Sequence, residues 1–169
     1  MINNFCISKI LLCMAIVERE VSELLLSLAR GIEWSEDVRA ILMYVGFDSV
    51  KHADLLEKSA KNLVPDAEVN LKECEELVGT ESVKLVKRLR EKTEEISIDL
   101  LTIEKARELI EEQTKIEGDI GEEYLNMCHA KAFSLITKSS LIRKILELIS
   151  EDEERHIELL KSALEYLSL

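Results

Sequence analysis

Residues Ser150–Leu167 read SEDEERHIELLKSALEYL. The stretch has no Gly or Pro and is dense in Glu, Leu and Lys, so it reads as helix. Positions three, four and seven residues apart share one helical face. Glu153 therefore lies with Leu146, Ile149, Ile157, Leu160 and Leu164, and His156 follows one turn on. Glu154 instead meets Glu147, Glu151, Glu158 and Lys161, a solvated side. A carboxylate and an imidazole thus point into the core. An unpaired carboxylate there is costly and either takes up a proton or recruits a partner. The question is whether the rest of the chain supplies that partner.

The same periodicity finds buried-side polar groups elsewhere. Glu18 shares its face with Leu11, Met14, Ala15, Val21, Leu25 and Ala29. Glu117 shares its face with Ile110, Thr114, Ile120, Gly121, Tyr124 and Cys128. His52, in DSVKHADLLEK (48–58), lies with Val45, Asp48, Ser49, Leu55 and Leu56. Glu20 falls nearer an edge, and His129 reads as an ordinary late-helix residue. Four long helices each place at least one ionisable group inward. They run from about Asn4 to Arg30, from Glu36 to about Leu63, from Ile103 to about Phe133, and from Ser139 or Ser140 to about Leu167. Ser35 and Thr102 are N-caps, and Pro65 stops the second helix. Residues 66–100 form a charged crossover with one or two shorter helices, broken at Gly79. Within it, KRLREK (87–92) reads as a solvated face. This makes one all-α domain over residues 1–169. A long crossover returns the third helix parallel to the second, whereas an up-down-up-down bundle would not; both topologies stay open.

Composition narrows the function classes. A net charge of −12 lacks the basic footprint that nucleic acid requires, and it suits cations as partners. No run is long and apolar enough to span a bilayer. ILLCMAIV (10–17) has the apolar character of a signal peptide core, but helical periodicity continues through EREVSELLLSLA, so it reads as helix. The four cysteines, Cys6, Cys13, Cys74 and Cys128, include no C-x-x-C pair, which excludes a zinc ribbon or rubredoxin-type iron knuckle within this chain. They read as free, mostly buried thiols of a reducing compartment; a disulfide stays open, though no spacing favours one, and the expected location is cytoplasmic. One Gln, Gln113, among many Glu and Lys points toward a hot habitat.

An acid on each of three helices and histidines on two suit iron, manganese or zinc. The readings without a metal are a buried acid paired with Lys or Arg, and a core histidine bonded to an adjacent acid. The motifs AIVEREVSELLLSLA, DSVKHADLLEKSA, KIEGDIGEEYLNM and DEERHIELLKSAL together resemble the ferritin-like superfamily, closest to rubrerythrin-type domains. The resemblance covers about residues 5–63 and 103–167. It implies a four-helix bundle with a long crossover between helices 2 and 3, holding two irons. Glu18 and Glu117 would be terminal ligands, His52 and His156 would each bind one ion, and Glu153 would bridge. One position departs: Ser49 stands three residues before His52, where the family has a glutamate. Asp48, one place earlier and rotated by about 100°, is a sixth candidate ligand. Glu18, Glu117 and Glu153 supply −3 against the +4 of two divalent ions, so Asp48 or a water-derived ligand must substitute, or one ion binds tightly. The implied chemistry is reduction of peroxide or dioxygen, or oxidation of Fe(II), with an external electron donor because the chain has no cysteine-rich iron module. A homodimer through an apolar outer stripe is expected. The alternative is a metal-poor or mononuclear bundle acting as a binding or assembly module.

Overall fold

The structure is a computed structural model that describes residues 4–98, 101–129 and 140–168. Those residues form six helices: α1 (Asn4–Gly31), α2 (Glu36–Leu63), α3 (Leu71–Val78), α4 (Thr80–Ile98), α5 (Ile103–His129) and α6 (Ser140–Tyr166). Among the described residues the chain is all-α. Phe133, the expected end of the third long helix, lies outside them, as do the side chains of Tyr124, Cys128 and His129.

Local chemistry accounts for the helix ends. Ser35 is extended, and its side chain accepts from the Val38 amide to cap α2. Val64, forced toward extended backbone by Pro65, ends α2 while its N–H still reaches the Ala60 carbonyl. Thr102 Oγ1 accepts from the Lys105 amide at 3.2 Å at the start of α5. Asn70 and Glu73 form a reciprocal capping box on α3. Gly79, at φ 94°, separates α3 from α4 in a conformation that favours glycine.

Contacts set the helix directions. α1 and α2 are antiparallel, with Ser8 Oγ donating to the Ala60 carbonyl at one end and Gly46 against Leu26 near the other. α5 and α6 are antiparallel, with Arg107 donating to the Leu167 carbonyl and Ser150 Oγ to the Gly121 carbonyl. α2 and α6 are antiparallel as well, because Asp48 meets His156 and His52 meets Asp152. It follows that α5 runs parallel to α2, so the crossover through α3 and α4 returns the chain as its length predicts. One hydrophobic core runs through these helices, including Leu11, Leu25, Leu42, Leu56, Leu109, Ile110, Leu146 and Leu160, all essentially inaccessible.

The crossover corrects two expectations. Cys13 of α1 and Cys74 of α3 form a disulfide with a Cα separation of 5.6 Å, so they are not reduced thiols; Cys6 is not part of that bond. The bond pins α3 onto α1 within a small cluster containing Val83. The run 87–92 is also more than a solvated face. Leu89 is buried, Arg90 Nε donates to Glu20 at 2.8 Å, and Lys92 and Arg88 both pair with Glu112 of α5. No helix among the described residues is long and apolar enough to cross a membrane.

Candidate metal centre

Apolar periodicity on α1, α2, α5 and α6 carries Glu18, His52, Glu117, Glu153 and His156 to the middle of the core, each at most 1% exposed. Two sets of ligating atoms result: Glu18, His52 and Glu153, and Glu117, Glu153 and His156, with the atoms of each set within 4.8 Å of one another. Donors around a single ion at bond lengths near 2.0–2.2 Å can lie up to about 4.4 Å apart, so each set needs only a small contraction to grip a cation. Glu153 belongs to both. Its Oε1 is 3.0 Å from His52 Nδ1, and its Oε2 is 3.4 Å from His156 Nδ1. The two imidazoles stack with centroids 5.6 Å apart and planes 27° apart.

Each ring turns Nδ1 inward and Nε2 outward. His52 Nε2 meets Asp152 Oδ2 at 3.0 Å, and His156 Nε2 meets Asp48 Oδ2 at 3.2 Å. A carboxylate on Nε2 holds the proton there and leaves the Nδ1 lone pair for an ion. The buttressing is crosswise: each aspartate lies four residues before one histidine and supports the other. Lys51 Nζ joins the two aspartates, at 2.7 Å from Asp48 and 3.0 Å from Asp152, and Arg155 also pairs with Asp152.

Asp48, the sixth candidate, meets the outer nitrogen of His156. It falls outside both ligating sets, because its position on the helix aims it past the cluster at the outer nitrogen of His156. Asp152 and Gln113 are additions that the sequence reading did not make. Gln113 is fully buried one turn before Glu117, and its Nε2 donates to Glu117 Oε1. Both carried a readable signal. Asp152 repeats the D-x-x-x-H spacing of Asp48 and His52, and Gln113 sits on the inward face of Glu117. Ser49 is fully buried, and its hydroxyl donates to the Val45 carbonyl at 3.3 Å.

Comparison with protein-family models, curated proteins and solved structures finds no match to this chain.

The cluster's titration is set by burial and by the groups that face one another. Burial pulls both imidazoles toward neutrality, but the facing carboxylates outweigh it. Glu153 and Glu18 carry His52 to about 9, and Glu117 and Glu153 carry His156 to about 11. Burial, and then the charges of Glu117 and Glu18, push Glu153 well above the usual carboxylate range. Burial also disfavours charge on Glu117, but hydrogen bonds from Glu153 and His156 overcome it and hold Glu117 low. His52 Nδ1 and Glu153 Oε1 are buried and close yet off the hydrogen-bonding direction, so neither makes a hydrogen bond. Buried polar atoms are rarely left this way, and the chemistry of these donors fits a divalent first-row metal.

Gly121 gives Glu153 its place. A Cβ on Gly121 would stand 3.0 Å from Glu153 Cβ, so glycine eases the close approach of α5 to α6 at the level of that carboxylate.

Proposed function

We propose that this chain is a ferritin-like, non-haem di-metal carboxylate protein of the rubrerythrin type, with iron as the working metal. The observation that supports this most strongly is the sharing of Glu153 between two buried Glu–Glu–His sets. A structural ion pair needs one acid and one base. Three acids and two imidazoles closing on one buried point, with a carboxylate common to both halves, are the arrangement that suits two adjacent cations. The parallel relation of α5 and α2 supports the ferritin-like arrangement over an up-down-up-down bundle.

Iron in such a site supplies electron transfer to peroxide or dioxygen, with Fe(II) oxidation as the related reaction. The protein's contribution is then specific. Glu18 and Glu117 would hold the metal from opposite helices, and Glu153 would be shared between the two sets. Asp152 and Asp48 hold the imidazoles in orientation, while Leu25, Leu56, Ile110 and Leu146 belong to the apolar core that keeps bulk water away. In metal-free protein Glu153 holds a proton more readily than an ordinary carboxylate, because burial and the charges of Glu117 and Glu18 disfavour its charge. Electrons come from an external donor. A cytoplasmic location sits uneasily with the Cys13–Cys74 disulfide, except in hyperthermophiles, whose intracellular proteins commonly carry such bonds.

The test is metal content of protein purified without chelator, followed by anaerobic Fe(II) titration and exposure to peroxide. Two irons per chain, with visible absorption developing on oxidation and lost in Glu153→Ala, is the expected result. A chain that takes up no iron, manganese or zinc would refute the reading and leave a bundle that serves as a binding or assembly module.

A further inference from the structure

The two halves of the chain carry the same outer frame but different inner ones. Asp48, Lys51 and His52 correspond in spacing to Asp152, Arg155 and His156. The correspondence is physical as well, because Asp48 supports His156 while Asp152 supports His52. Under it, Ser49 is the counterpart of Glu153. Glu153 reaches both histidines, whereas Ser49 turns its hydroxyl back to its own helix at Val45. Beyond Cβ, a glutamate has one methylene and a carboxylate; a serine has one oxygen. Ser49 Oγ stands in the place of a methylene, and what the first half lacks is a single planar carboxylate group.

The charges lead to the same deficit. Glu18, Glu117 and Glu153 give −3 at the centre. The outer layer adds nothing, because Asp48 and Asp152 are matched by Lys51 and Arg155. Two divalent cations bring +4, leaving one uncancelled positive charge in a buried site, where uncompensated charge is costly. One monoanion removes it.

We propose that the Ser49 side of the cluster binds an exogenous small planar oxyanion of the carboxylate class, formate to acetate in size, which completes the cation pair opposite Glu153. This rests on the two-cation reading above. The anion's partners are the cations themselves, so it binds loaded protein and not metal-free protein.

The test is Co(II) titration of the full chain in buffer free of carboxylates and bicarbonate, with and without formate. The expected result is that formate tightens the second Co(II) by about tenfold or more, the scale on which supporting groups alter metal affinity. Loaded protein should also broaden the carbon resonance of labelled formate, and metal-free protein should not. Ser49→Glu is expected to bind two Co(II) without formate and to leave the formate resonance sharp. Ser49→Ala, which adds no bulk or charge, should keep the formate dependence, and it carries the test if the glutamate variant does not fold. Two Co(II) bound equally well with and without formate, in wild type and Ser49→Ala alike, would overturn the anion site and leave the two-cation reading standing. Uptake of one Co(II) or none, whatever the formate concentration, would overturn both.

Discussion

The crosswise support of the histidines makes a prediction that sequence proximity would assign the other way. Asp152 is adjacent to Glu153 and four residues before His156, yet it touches His52. Asp152→Asn should therefore weaken cation uptake at Glu18, His52 and Glu153 and spare uptake at Glu117 and His156. Asp48→Asn should do the reverse. Loss of a carboxylate behind a ligating imidazole costs about 10–100-fold in metal affinity, or about 1.4–2.7 kcal/mol. The larger loss is expected for Asp152, whose contact is 3.0 Å against 3.2 Å and whose side chain is 11% exposed against 17% for Asp48. Lys51→Met touches both aspartates and should weaken both cations modestly, since Lys51 is half-exposed and solvent screens it. The assay is Zn(II) titration followed by nitrogen NMR of the ring nitrogens, which reports each imidazole separately. If Asp152→Asn disturbs His156 and leaves His52 unchanged, the antiparallel pairing of α2 and α6 at this level is wrong.

Three more outcomes follow from the same geometry. Chelator-treated protein should lose stability as pH rises: His52 and His156 are raised to about 9 and 11 from 6.5, so their contribution is complete below about pH 6.5 and disappears through those values. Glu153, also raised, adds to the same trend, and urea midpoints at pH 7 and pH 10 measure it; an unchanged midpoint would show that the imidazoles carry no proton in folded metal-free protein. Gly121→Ala should cost about 1–3 kcal/mol, because its Cβ meets Glu153 Cβ at 3.0 Å. Gly118→Ala, with only Ile157 Cδ1 at 3.7 Å, should instead gain up to about 1 kcal/mol of helix propensity, and thermal melts of the pair separate packing from propensity. Replacing Cys13 and Cys74 by Ser removes a bond that spans 61 residues and should cost about 4 kcal/mol on the chain-entropy scale, with iron stoichiometry unchanged; denaturant unfolding and metal analysis check both halves.

Most of the inner site was legible because a helix has one period. An acid such as Glu18, with Leu11, Met14, Val21 and Leu25 on its face, must point inward if the helix is straight and buried. Caps at Ser35 and Thr102 and the stop at Pro65 were legible for the same local reason. The outer layer was not, because it depends on how helices far apart in sequence meet. Asp48 aims at a ring more than a hundred residues away, and only the register of α2 against α6 decides which ring. The Cys13–Cys74 bond likewise depends on where α3 lies on α1, which spacing does not encode. The Asn70–Glu73 capping box was a missed local signal, present in NLKE.

The shared glutamate makes the two halves unequal. Everything that could grip an ion at Glu117 and His156 comes from α5 and α6, whereas Glu18 and His52 must borrow their third donor from α6. Severed at the crossover, the C-terminal hairpin would retain a full set of donors and the N-terminal hairpin would not. Dependence therefore runs in one direction. An ion lodged by α1 and α2 would staple them to the later half of the polypeptide, and mineral supply would then condition how firmly the ends of the chain stay together.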